Sequence, residues 1–222
     1  MVRVGAPDAE ALRAACAELI ADYDTVGWWP ADSPFEVMVG AVLVQNTRWA
    51  NVSQAIEALR QSGQLSPRAI ARTSAEQLTA LISPAGCQRV KARRLHALAE
   101  GVLQAGGLRA LARQPTVGLR AELLQWHGIG EETADAIALF AFDRPGFLAD
   151  AYARRWLSRR GLFDAGAGFS AYRRAKEFVD ARLDWSAPAH QALHGAIVLH
   201  CQQLCRPRPL CKGCGQNSIC LY

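Results

Sequence analysis

Leu123-Leu124-Gln125-Trp126-His127-Gly128-Ile129-Gly130-Glu131-Glu132-Thr133-Ala134-Asp135 reads as the end of one helix, a tight turn and the start of a second helix. Gly128 and Gly130 permit a turn that other residues would strain. Ile129, apolar between them, is placed to plug the gap between the two helices. The amides of Gly128 to Gly130 are then expected to point outward at a helix N-terminus, a phosphate site that needs no side-chain charge. A plain packing corner has the same pattern, so Gly-x-Gly alone does not separate the two readings.

Outward from this turn, nearly every segment has helical period. Ala9 to Tyr23 is apolar at Leu12, Cys16, Leu19, Ile20 and Tyr23, at spacings of three and four. Further helices are predicted over 34–45, 48–62, 74–82, 89–105, 117–126, 131–142, 152–162, 169–182 and 187–204. Ser33-Pro34, Ser66-Pro67 and Ser83-Pro84 punctuate them. No strand or repeat stands out, so the chain is expected to be all-α, a compact array with short connections.

Half of the 222 residues are hydrophobic and 20% are charged, enough apolar material for a real core. The longest apolar runs, such as Phe35 to Val44, hold too few residues to span a bilayer. The first twenty residues carry acids within their apolar stretch and read as an amphipathic helix, not an export signal. A cytoplasmic location, with access to the nucleoid, is therefore expected. The formal charge of +5 permits a nucleic-acid partner without requiring one. Only Lys91, Lys176 and Lys212 are lysines, a bias toward arginine that fits a GC-rich bacterial genome.

Seven cysteines in such a chain argue for a metal site over disulfides. Cys205, Cys211, Cys214 and Cys220 are separated by five, two and five residues. Four thiolates in one short loop suit an iron–sulfur cluster. Zinc is the competing reading, although a zinc ribbon usually brings two Cys-x-x-Cys pairs and this loop has one. Cys201, one turn before Cys205, reads as a core cysteine. His190 and His194 are four apart on one helix with no third ligand beside them, which favours packing.

Asp150 follows an apolar run broken by Pro145 and Gly146, and precedes a new helical pattern. An Asp there is commonly an N-cap. It is also a candidate carboxylate for chemistry near the glycine turn.

A helix–Gly-Ile-Gly–helix hairpin, Asp150 twenty residues after Gly130, and a terminal four-cysteine loop occur in one order. This combination resembles the helix-hairpin-helix DNA glycosylases of the endonuclease III type, over nearly the whole chain. The resemblance implies a 4Fe–4S cluster on Cys205, Cys211, Cys214 and Cys220, although the first gap is one residue shorter than is usual there. It implies two helical lobes: a six-helix barrel over 28–144 that ends in the hairpin at about 118–143, and a lobe joining 1–27 to 145–222 that holds the cluster loop at 205–220. Asp150 matches the catalytic Asp of the family. Gln45, in Val44-Gln45-Asn46-Thr47, matches a glutamine that fills the hole left by an extruded base. Gly86-Cys87-Gln88-Arg89-Val90-Lys91-Ala92 resembles a second inserting loop, with Lys91 a candidate phosphate contact beside Arg93.

Two departures point to the 3-methyladenine glycosylase branch, also known as endonuclease III-related. Bifunctional members carry a lysine just after the hairpin, where this chain has Glu132. Trp28 and Trp29, before the first barrel helix, are candidates for stacking on a cationic base. Glu132 is either a second pocket carboxylate or a favourable charge in a helix's first turn. The resemblance thus implies a monomeric enzyme that hydrolyses the N-glycosidic bond of a damaged base flipped from double-stranded DNA, without strand cleavage. The alternative is a non-catalytic damaged-DNA-binding protein on the same scaffold.

Overall fold

In a computed structural model of the chain, residues 9–168, 170–216 and 220–222 are described. All regular structure among them is helical. The expected positions 1–8, 169 and 217–219, the last three inside the cysteine loop, lie outside the described residues. The helices are α1 (Ala9–Ala21), α2 (Pro34–Leu43), α3 (Trp49–Gln61), α4 (Pro67–Arg72), α5 (Ala75–Leu81) and α6 (Gln88–Gln104). They continue with α7 (Leu108–Arg113), α8 (Thr116–Leu123), α9 (Glu131–Phe142), α10 (Ala151–Arg159), α11 (Ala171–Asp180) and α12 (Ala187–Gln203). None is long and apolar enough to cross a membrane among the described residues.

The chain divides into two units, one of Met1–Trp29 with Pro145–Tyr222 and one of Pro30–Arg144. Trp28 and Trp29 therefore group with the terminal unit. The continuous unit holds six longer helices and the six-residue α4 and α7. Its centre is α2, where every residue from Phe35 to Leu43 is buried. A helix apolar all round belongs inside a core. Ser33 starts it, accepting from the Glu36 amide at 3.2 Å, with Pro34 in the first turn where a missing N–H costs nothing. The one carboxylate on this helix, Glu36, is buried and paired with Arg60 of α3 at 2.6 Å. α2 packs on α3, α6 and α9.

In the terminal unit α12 is the central helix, contacting α1 and α10. The core there joins Leu12, Cys16 and Leu19 of α1 to Trp156 and Leu157 of α10, Tyr172, Phe178 and Val179 of α11, and Leu193 and Ile197 of α12. The two short helices α4 and α7 and the 3-10 turn Ser83–Ala85 were not expected. Six residues give too few turns for a periodic stripe to be read.

Candidate functional site

The hairpin is α8, a turn and α9. Gly128 has φ +87°, and a Cβ there would collide with the Arg94 side chain, so the position needs glycine twice over. Ile129 is buried as expected. Its amide does not point outward: it donates to the Trp126 carbonyl at 3.1 Å and closes the turn. Trp126 lies so close to α6 that a Cβ on Gly101 would run into its ring. Gly130 is the N-cap of α9, in extended backbone and with no side chain to cap the helix.

Gln45 is not held out as a free side chain. Its amide nitrogen donates to the Gly128 carbonyl at 3.2 Å and to Thr133 Oγ1 at 3.0 Å, and its oxygen accepts from Arg94. It thus ties the turn after α2 to the hairpin. A correction applies to Lys91: it is buried, and its Nζ donates to the carbonyls of Leu43 and Ala85, both at 2.8 Å. Those carbonyls stand at the end of α2 and in a 3-10 turn, and only a buried donor can satisfy them. Burial lowers its pKa, with the nearby Arg94 charge acting the same way. Lys91 is therefore a tie between two loops, with its ammonium turned away from solvent.

A network of three hairpin side chains escaped the sequence reading. Arg120 of α8 donates to the buried Asp135 at 2.7 Å and reaches Glu131 at 3.4 Å, locking the two arms. The signal was present, since Glu131 and Asp135 are one turn apart on α9. Glu132, next to them, is exposed in the first turn of α9, where the helix dipole favours a carboxylate.

In the terminal unit, Asp150 is the N-cap of α10, its Oδ1 accepting from the Ala153 amide at 2.8 Å. Burial nevertheless pushes its pKa up to about 6, outweighing the amides of Ala153 and Tyr152 and the charges of Arg154 and Arg155. Asp150 is thus both cap and perturbed carboxyl. Trp28 and Trp29 are half-buried and meet edge to face, centroids 6.0 Å apart. Trp28 also meets His194 at 5.2 Å and 84°. It lies on α12 at Gly195, where a Cβ would come within 2.9 Å of its ring. Burial lowers His194 to about 4, so it is neutral at pH 7.

Cys205, Cys211, Cys214 and Cys220 line one pocket, with Trp156, Arg159 and His200 among its other walls. Among the described residues no three Cys, His, Asp or Glu side chains are grouped to hold a metal ion. The loop is anchored on α10: Arg155 donates to the Cys205 carbonyl at 2.8 Å, and Arg159 to the carbonyls of Arg206 at 2.6 Å and Pro207 at 3.1 Å. Arg159 also reaches Cys205 Sγ at 3.4 Å. Hydrogen bonds from Cys201 first, then His200 and Arg159, hold the Cys205 thiol well below its ordinary value. His200 in turn is met by the Tyr23 hydroxyl at 3.0 Å.

A glycine-turned hairpin packed on an all-helical unit, followed by a half-buried Asp capping the next helix, defines a class. The chain belongs to the HhH-GPD superfamily of base excision DNA repair proteins, whose pattern matches residues 39–178. It is 38% identical over 202 residues to a Methanocaldococcus jannaschii protein that carries the name of a DNA repair glycosylase, covering 90% of each chain. It is 27% identical to Endonuclease III of Thermotoga maritima, covering 85% of this chain and 83% of that one. The Helicobacter pylori 3-methyladenine DNA glycosylase, solved with 1,N6-ethenoadenine, is similar with a TM-score of 0.72 at 25% identity, over 89% of this chain and 98% of that one. A non-covalent Endonuclease III–DNA complex shares the fold, with a TM-score of 0.78 at 19% identity over 96% and 95% of the two chains.

Proposed function

We propose that the protein is a monofunctional DNA glycosylase that hydrolyses the N-glycosidic bond of an alkylated purine flipped from duplex DNA. The observation that carries the reading is Asp150, a half-buried carboxyl that caps α10 and is raised to about 6 by desolvation, in a member of this superfamily. Breaking the bond leaves positive charge on the sugar, and a carboxylate beside it stabilises that charge and orients water. A carboxyl with this pKa is mostly ionised at pH 7 yet poorly solvated, so its charge acts strongly on a neighbouring cation.

The substrate class is supported by Trp28, Trp29 and His194. An aromatic pair attracts a cationic base, and a histidine held neutral adds no competing charge. An alkylated, positively charged purine is also a good leaving group and needs little acid catalysis. The similar Helicobacter pylori enzyme is a 3-methyladenine glycosylase. The start of α9 at Gly130, whose N-cap carries no side chain, is the proposed phosphate contact, through backbone amides.

Cys205, Cys211, Cys214 and Cys220 are the proposed ligands of a 4Fe–4S cluster. All four line one pocket, and a cluster takes one thiolate at each of four corner irons. The low pKa of Cys205 and the arginines of α10 suit a thiolate ligand. When bound, the cluster supplies order to the loop. Glu132 stands where bifunctional relatives carry lysine, and a carboxylate forms no imine, so strand cleavage is not expected.

The test is an excision screen of wild type and Asp150→Asn on duplexes bearing methylated purines, 1,N6-ethenoadenine, uracil or oxidised pyrimidines. Release of methylated purines that is lost in Asp150→Asn is expected. Good cutting of uracil or oxidised pyrimidines with methylated purines ignored would refute the substrate class. Unchanged excision by Asp150→Asn would refute the role of the carboxylate. Duplex binding with no base release from any lesion would favour the non-catalytic reading.

A further inference from the structure

Asp150 stands at the end of Asp143–Ala149, a segment without regular structure whose last three residues, Phe147, Leu148 and Ala149, are buried. Buried non-helical backbone must find partners for its N–H and C=O groups. For Phe147 both come from one helix, α11. Its amide donates to Asp180 Oδ1 at 2.7 Å, and its carbonyl accepts from Lys176 Nζ at 3.2 Å. Lys176 and Asp180, one turn apart, pair with each other at 3.0 Å. The result is a closed ring: amide, carboxylate, ammonium and carbonyl, beginning and ending on the same residue. Gly146 leaves room beside it: a Cβ there would stand 2.8 Å from Lys176 Nζ, so the ammonium would have to shift. Next along the chain, Arg154 of α10 donates to the Ala149 carbonyl at 2.5 Å.

We infer that Lys176 and Asp180 are positioning residues for Asp150. They act on the backbone three residues before it and fix where α10 begins, hence where its capping carboxylate points. Hydrophobic burial of Phe147 holds the segment near the core but sets no angle, because burial is non-directional. Two charge-assisted hydrogen bonds to opposite sides of one peptide residue do set an angle. The ring needs both charges. Lys176 alone would place an ammonium in a part-buried site, and its remaining exposure is only 18% against 35% for Asp180. This inference rests on the proposed role of Asp150 and deepens it.

The experiment measures single-turnover base release, DNA affinity and thermal melting on a duplex methylated at its purines. Lys176→Met and Asp180→Ala are expected to slow release roughly 10- to 100-fold, since a displacement of about 1 Å at a reacting group costs that much. Affinity should stay within about two-fold, and Lys176→Arg, which keeps the donor charge, should recover most of the rate. In an Asp150→Asn background the same changes should cause no further loss, because neighbours acting through one group are not additive. Full activity of both variants, or equal losses with and without Asp150, overturns the inference. If Asp150→Asn itself leaves release unchanged, the catalytic reading fails, and the ring is then judged by amide exchange at Phe147. That exchange should accelerate in Asp180→Ala while the α12 amides stay protected; unchanged exchange overturns the ring as well.

Discussion

The hairpin and the cysteine loop are both tight, glycine-bearing features, but they are ordered by opposite means. The hairpin is closed by the protein itself. Gln45 and Arg94 hold Gly128 and Thr133, Arg120 locks α8 to α9 through Asp135, and Ile129 is sealed in the core. Among the described residues the cysteine loop is held mainly through the arginines of α10. Arg155 and Arg159 bind its backbone carbonyls, while Cys211, Cys214 and Cys220 stay half-exposed around a shared pocket. A region that meets its own polar demands is independent of a cofactor, whereas one whose thiols line a shared pocket gains further order from a group bound there. The arginines of α10 thus hold the Cys205 end of the loop through its own carbonyls.

Cys211→Ser should break the comparison most severely. With the proposed cluster on these thiols, the variant should be purified without brown colour or bound iron, become protease-sensitive between Cys205 and Cys220, and keep the hairpin intact. Absorbance, iron content and limited proteolysis check this together. Retention of full iron would remove Cys211 from the ligand set. Loss of order in the hairpin as well would show that the two regions are not independent.

The next effect is one of opposite sign in stability and activity. The pKa of Asp150 is raised from 3.8 to about 6 in the folded protein, so folding disfavours its charged form. That penalty is absent below about pH 4, grows between about 4 and 6, and is complete above. Asp150→Asn keeps an N-cap and removes the charge. It should therefore stabilise the protein by about 2 kcal/mol at pH 7, less than the full shift implies because the carboxyl keeps some water contact. The difference should vanish near pH 4, as melts of the two proteins across pH would show. Base release by the wild type should rise with pH through about 6, following the same ionisation.

Lys91→Met sharpens the contrast from the other side. It removes the donor from the carbonyls of Leu43 and Ala85, both of which stay buried behind it. Leaving buried carbonyls unsatisfied costs about 1–3 kcal/mol, offset in part by removing a poorly solvated ammonium. A loss of about 1–2 kcal/mol in denaturant melts is expected, with iron content unchanged.

The longer helices were legible because periodic apolar positions repeat over several turns, as in α2 and α12. The hairpin was legible from two glycines, and Asp150 as a cap from its place between an apolar run and a helix. What stayed hidden depends on partners far apart in sequence. Nothing near Lys91 says that two carbonyls from elsewhere converge on its ammonium. Nothing near Gln45 says that its amide meets Thr133, eighty-eight residues later. Arg93 and Lys91 look alike as surface charges on paper; the burial of one is a tertiary fact.

The smallest stability effect, and the sharpest functional one, concerns Glu132. It is exposed in the first turn of α9, where a carboxylate meets the positive end of the helix. Glu132→Lys reverses that interaction and should cost under about 1 kcal/mol, within a hairpin otherwise locked by Arg120 and Gln45. The chemistry changes more. Strand cleavage in bifunctional relatives needs an amine that attacks the sugar and forms an imine, which borohydride reduces to a covalent adduct. In the wild type Lys91 is buried on two carbonyls and Lys176 is paired with Asp180, so neither amine is presented for attack. Lys212 sits in the cysteine loop. Wild type should therefore give no adduct and no nicking on an abasic duplex, while Glu132→Lys should gain weak trapping and lose part of its base release. A strong adduct with the wild type would overturn the single-function assignment. Its disappearance in Lys212→Arg would then identify the cysteine loop as the source of the amine.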